Sequence, residues 1–181
     1  PELYRIINKT PPAEALEIRE SYSHAAVFVG REYELGLLKT AFSNMLIGKG
    51  EGWFVAGESG IGKSRLLDEF QTHALLNGAW VLRGQAIKEG STPFTLWREP
   101  LRHLILPTDL TEQEIDLLQM VIPDLGDILE IPLDPPAEYA PRLFQILLFE
   151  LIKKLLRSTH RPIVFLLEDL HWAGSESLIL L

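Results

Sequence analysis

With 181 residues, 46% of them hydrophobic and 23% charged, the chain is long enough to bury one substantial core. It has no cysteine, which excludes a disulfide framework and any thiolate metal site. A net charge of −8 argues against direct nucleic-acid binding by this segment, because a phosphate backbone demands a basic face.

Residues 1–25 read as the end of a preceding domain and a linker, broken by Pro11 and Pro12. They show no apolar core of a signal peptide. Residues 26–181 read as one partial domain. The chain starts on Pro1 and stops on "SLILL", inside the beginning of an amphipathic pattern, so it is expected to be a piece of a longer polypeptide. In "FVGREYELGLLKTAFSNML", Leu35, Leu38, Phe42 and Met45 or Leu46 recur at helical spacing, and Gly48 and Gly50 end the helix. "GWFVA" (52–56) is a short apolar run, which predicts a strand near 53–56 buried on both faces. After a glycine-rich stretch, Leu66, Leu67, Phe70 and Ala74 predict a helix that Asn77-Gly78 stops.

"AWVLRGQA" predicts a second strand near 79–83. Pro93 opens a helical segment carrying Leu96, Trp97, Leu101 and Leu104 or Ile105. Thr111 and Glu114 have the spacing of a capping box. The stretch from Pro123 to Pro141 reads as loop-rich. Arg142 to Arg157 predicts a long helix, with Lys153, Lys154 and Arg157 where a helix C-terminus favours cations. Its segment "LFQILLFELIKKLL" is too interrupted by Glu150, Lys153 and Lys154 to cross a membrane. A cytoplasmic location follows by default. "IVFLLED" predicts a third strand near 163–167. Apolar strands alternating with helices mean an α/β fold with a parallel sheet.

"GESGIGKS" matches G-x-x-x-x-G-K-[ST] through Gly57, Gly62, Lys63 and Ser64, with a further glycine at Gly60. Glycines let successive N–H groups turn inward on a polyphosphate, and the helix that follows aims its positive end at the same place. Lys63 is expected to reach the β- and γ-phosphates, and the Ser64 hydroxyl to bind Mg²⁺. The loop residues Glu58, Ser59 and Ile61 then belong to the nucleotide site through their backbone. Arg65 reads either as an α-phosphate contact or as a solvated helix residue. Glu168 and Asp169 stand at the carboxyl end of the third strand, where ligands bind in open parallel sheets. Strand alternation predicts that they face opposite ways, one bearing on Mg²⁺ and the other on attacking water. His171 and Trp172 read either as a γ-phosphate sensor or as a Trp packed under the sheet edge. There is no G-x-S-x-G elbow and no metal-binding histidine spacing.

Together "FVGREYELGLL", "GESGIGKSRLL" and "LLEDLHWA" resemble the AAA-type, origin-recognition-like ATPase domain of STAND signalling NTPases, over residues 27–181. Such domains occur C-terminal to class III adenylate/guanylate cyclase domains or in LuxR-type regulators, and "ELYRI" is similar to the close of such a cyclase domain. The resemblance implies the N-terminal portion of a P-loop NTPase. It implies that Val29, Gly30 and Arg31 lie against the nucleotide base, although Arg31 pairing with Glu34 is the alternative. It implies ATP and Mg²⁺ as cofactors, Lys63, Glu168 and Asp169 as catalytic, and Ser64, Glu168 and Asp169 as metal-binding. The expected function is an ATP-binding, ATP-hydrolysing regulatory module of a multidomain signalling protein, with attached signalling domains and room for a homo-oligomer. An ATP-dependent transcriptional regulator and a non-hydrolysing scaffold are the alternatives. Two positions depart from the family pattern: Glu168 stands where Asp is usual, and Gly174 where "HWAD" has an acid.

Overall fold

The computed structural model describes residues 30–88, 93–106 and 108–181, so Val29 and the linker 1–25 lie outside the described residues. The described residues divide into two compact units, those up to 81 together with 161–164, and those of 82–160 together with 165–181.

In the first unit, helix α1 (Glu32–Leu46) buries Leu38 and Phe42, as the apolar spacing predicts. Glu32 and Glu34 lie in its first turn, where the helix dipole favours negative charge. Helix α2 (Lys63–Leu76) buries Leu66, Phe70 and Ala74 and packs on α1. Phe42 meets Phe70 edge-on at 6.3 Å between ring centroids, and His73 at 5.5 Å. Such edge contacts contribute about 0.5–1.5 kcal/mol each beyond the area they bury. Burial first, and then the charge of Lys39, push the His73 pKa below its ordinary value.

The expected strand near 53–56 does not form. Residues 51–58 have no regular structure, Trp53 is 48% exposed and Phe54 83%. An apolar run becomes a strand only when a neighbour completes its ladder of hydrogen bonds. Among the described residues no strand pairs with this run.

Strands β1 (Trp80–Gln85) and β2 (Ile163–Glu168) form a two-stranded sheet. Trp80 N–H donates to the Pro162 carbonyl at 2.8 Å and Ala86 N–H to the Glu168 carbonyl at 3.1 Å. The offset is 82 residues in both cases (162 − 80 and 168 − 86), so the strands run parallel. β1 ends two residues later than the apolar pattern alone indicates.

In the second unit, helices α3 (Thr95–Ile105), α4 (Glu112–Gln119), α5 (Leu125–Leu129), α6 (Pro141–Ser158) and α7 (Ser175–Leu178) surround a core of Leu101, Leu104, Leu118, Ile122, Leu148 and Leu155. α5 interrupts the stretch read as loop. The Thr111–Glu114 capping box forms in both directions. Burial pushes the Glu114 carboxyl up, but the Lys154 ammonium at 2.7–2.8 Å and the Thr111 bonds outweigh it and hold the group below its usual range. Lys154 therefore serves α4 rather than only its own helix end. Gly84 marks the closest approach: a Cβ there would stand 2.1 Å from the Leu96 carbonyl oxygen. Only glycine lets β1 pass the start of α3. Trp97 lies 5.7 Å from Phe165 and donates its indole N–H to the buried Ser177 carbonyl at 2.8 Å. An α/β fold of parallel strands flanked by helices stands as the sequence indicates.

Candidate phosphate-binding loop and acidic strand end

The glycine-rich stretch sits immediately before α2. Gly60 (φ 79°) and Gly62 (φ 93°) adopt left-handed backbone that other residues rarely tolerate, and Gly62 is the residue that caps α2. A side chain at Gly57 would press on Ile61 Cγ2 at 3.2 Å. Lys63 and Ser64 open the helix, so the free amides of the first turn lie with them. No acidic residue stands in that turn to repel an anion or take its amides. The Lys63 ammonium curls back over the loop and donates to the Gly57 carbonyl at 2.9 Å and the Glu58 carbonyl at 2.8 Å. The same side chain can therefore exchange carbonyl oxygens for phosphate oxygens at the loop. Together these features fit a polyphosphate: backbone donors, a positive helix end and a lysine ammonium over the loop.

Two arginines flank the loop. Arg65 pairs with Glu69, one turn on, at 2.7 Å. Glu69 is buried, and that burial pushes its carboxyl pKa up. Arg31 precedes α1 and lies in the same unit as the loop. Its Nη2 donates to the Ile61 carbonyl at 2.9 Å and its Nη1 to Glu34 Oε1 at 3.3 Å. The pairing with Glu34 weighed from the sequence is thus present, with a loop contact beside it. Gly30 N–H donates to Glu32 Oε1 at 2.9 Å, which holds the Glu32 carboxyl below its usual range.

The acidic end of β2 is built from side chains. Glu168 Oε1 receives Arg83 Nε at 2.6 Å, and the Glu168 side chain is only 12% exposed. Asp169 Oδ2 accepts from the Gln85 amide at 2.9 Å. Alternation does not carry through to Asp169, because its φ of 55° takes it out of the strand. The two carboxylates accordingly engage residues two apart on β1, not opposite faces as strand geometry predicts. Arg83 and Gln85 went unremarked in the sequence reading. Their signal was there: in "VLRGQ" they share one parity, a polar face on a strand otherwise read as apolar.

His171 and Trp172 form a short 3-10 turn after the acids (Leu170–Trp172). Their rings lie 4.6 Å apart, and the Lys88 ammonium stands 5.1 Å from the Trp172 ring. Trp172 is 40% exposed, so it is not packed away under the sheet edge. It lines a cleft of about 180 Å³ with Ile87, Leu96, Gly174, Glu176 and Ser177, all in the second unit. Glu176 Oε2 sits 2.9 Å from where a Gly174 Cβ would be. An acid from two residues on thus fills the space beside the glycine. Among the described residues no three His, Cys, Asp or Glu side chains gather around one point.

The model of the AAA ATPase domain family matches residues 27–181. The chain belongs to the AAA ATPase domain family. Comparison with curated proteins and with solved structures gives no significant match. Membership makes the chain a P-loop NTPase by fold, and residues 57–64 carry the pattern G-x-x-x-x-G-K-[ST]. No helix among the described residues is long and apolar enough to cross a membrane.

Proposed function

We propose that this AAA domain binds ATP with Mg²⁺ and hydrolyses it as the regulatory module of a multidomain signalling protein. The loop geometry carries the reading: Gly60 and Gly62 in left-handed backbone, leading into α2 with Lys63 and Ser64 at its start. In this reading the amides of residues 60–64 cradle the phosphates, and Lys63 leaves the Gly57 and Glu58 carbonyls to neutralise them. Ser64 offers its hydroxyl to the metal. Bound Mg²⁺ supplies charge neutralisation between phosphate oxygens. Glu168 and Asp169 divide the acidic work, one toward the metal and one toward water. Asp169 suits the water role, since an amide partner is given up more readily than the guanidinium that holds Glu168. Nucleotide state then biases a conformational equilibrium that an attached domain reads.

Residues 1–25 as the tail of a preceding domain, a class III cyclase upstream, a STAND-type architecture and self-association all belong to this proposal. They rest on the motif resemblance. A second reading, a nucleotide-dependent scaffold with little turnover, is favoured by one observation: Glu168 is already committed to Arg83 at 2.6 Å.

Calorimetric titration of the full chain with MgATP tests the first part. Lys63→Ala should weaken binding at least about 100-fold, roughly 2.7 kcal/mol. Unchanged affinity overturns the reading. Steady phosphate release by the wild type would remove the scaffold alternative.

A further inference from the structure

Arg31 is the residue whose contacts the nucleotide reading leaves unused. It lies thirty positions before Ile61 in sequence, yet its guanidinium reaches the Ile61 carbonyl at 2.9 Å. Nothing about the motif G-x-x-x-x-G-K-[ST] requires that bond. We infer that Arg31 is a positioning residue that orients the phosphate-binding amides by holding the Ile61–Gly62 peptide. The inference rests on the reading that residues 57–64 hold a polyphosphate.

The peptide group is planar and trans, so its C=O and the following N–H point in opposite directions. Fixing the Ile61 carbonyl toward Arg31 therefore turns Gly62 N–H away from Arg31, onto the other side of the chain. Gly62 caps α2 with φ 93°, a residue with no side chain to restrain it. Left alone, such a peptide is free to flip, and an amide aimed at random costs binding free energy each time a ligand must order it. Arg31 removes that freedom. The guanidinium is itself held: Nη1 bonds Glu34 on α1 at 3.3 Å, the Arg31 carbonyl accepts the Leu35 N–H at 3.0 Å, and the side chain is only 25% exposed. Its Nε lies 3.8 Å from where a Gly62 Cβ would be, so the arm lies along the peptide it restrains. A cation on the carbonyl also polarises the peptide, which strengthens the N–H as a donor. The start of α1 thus acts on the phosphates through the loop backbone. This role differs from contact with the base, which the family resemblance implies for Arg31.

The two roles separate by ligand. The full chain is titrated with ATP, GTP and inorganic tripolyphosphate, wild type against Arg31→Met and Arg31→Lys. Arg31→Met should weaken all three by one common factor of about tenfold, the worth of one charge-assisted hydrogen bond, and leave the ATP to GTP ratio unchanged. Arg31→Lys should recover part of the loss. In the ligand-free chain, hydrogen exchange at the Gly62 and Lys63 amides should quicken in Arg31→Met relative to the rest of α2, which loss of charge alone does not produce. The inference is overturned if Arg31→Met leaves tripolyphosphate affinity or the two amides unchanged, or if its loss falls on ATP alone. A wild type that binds ATP but not tripolyphosphate also overturns it. A wild type that binds none of the three ligands refutes the phosphate-loop reading itself.

Discussion

The loop of residues 57–64 and the acidic end of β2 are built from opposite materials. The loop is exposed and made of backbone: its carbonyls face Lys63 and Arg31, and its amides are left to a ligand. The strand end is made of side chains: Glu168 and Asp169 are satisfied by Arg83 and Gln85 on the adjacent strand. The difference teaches where each mutation should register. Contacts of the loop are solvated, so losing one costs ligand affinity more than stability. Glu168 is nearly buried, so losing its partner leaves a carboxylate with poor access to water, and stability suffers.

Arg83→Met should show the largest stability effect, about 1–2 kcal/mol in urea unfolding after allowance for the part-exposed guanidinium. Adding Glu168→Gln should restore most of it, as coupled partners require. If Arg83→Met costs no more than Arg31→Met, the contrast between the regions collapses. The smallest effect sharpens the comparison from the helix that carries the loop. The folded pKa of His73 lies below its unfolded value, so folded α1–α2 binds fewer protons than the unfolded chain. Its contribution is present above the ordinary histidine pKa and is lost as pH falls through the lower folded value. Unfolding between pH 7.5 and 5 should show a drop of less than about 1 kcal/mol, and His73→Phe should flatten it. A drop that persists in His73→Phe assigns the acid sensitivity elsewhere.

The loop was legible because its chemistry is local. Glycines, a lysine and a hydroxyl in one octapeptide declare a phosphate cradle whatever surrounds them. Helices α1, α2, α3 and α6 were legible because apolar residues repeat over several turns, and the α4 cap because Thr111 and Glu114 are three apart. What failed was non-local. The run 52–56 has the composition of a strand, but pairing decides strands, and no partner for it exists among the described residues. Asp169 was expected to alternate with Glu168, but one left-handed residue ended the alternation. Arg83, Gln85 and Arg31 gain their meaning only from partners 85, 84 and 30 residues away.

The central claim is that the amides of residues 60–64 enclose a polyphosphate. Hydrogen exchange of the full chain with and without MgATP, resolved to single amides, tests it most directly. Slowing confined to Gly60 through Ser64, absent in Lys63→Ala, is the result this account predicts. Bound ATP with exchange in that stretch unaltered would contradict it.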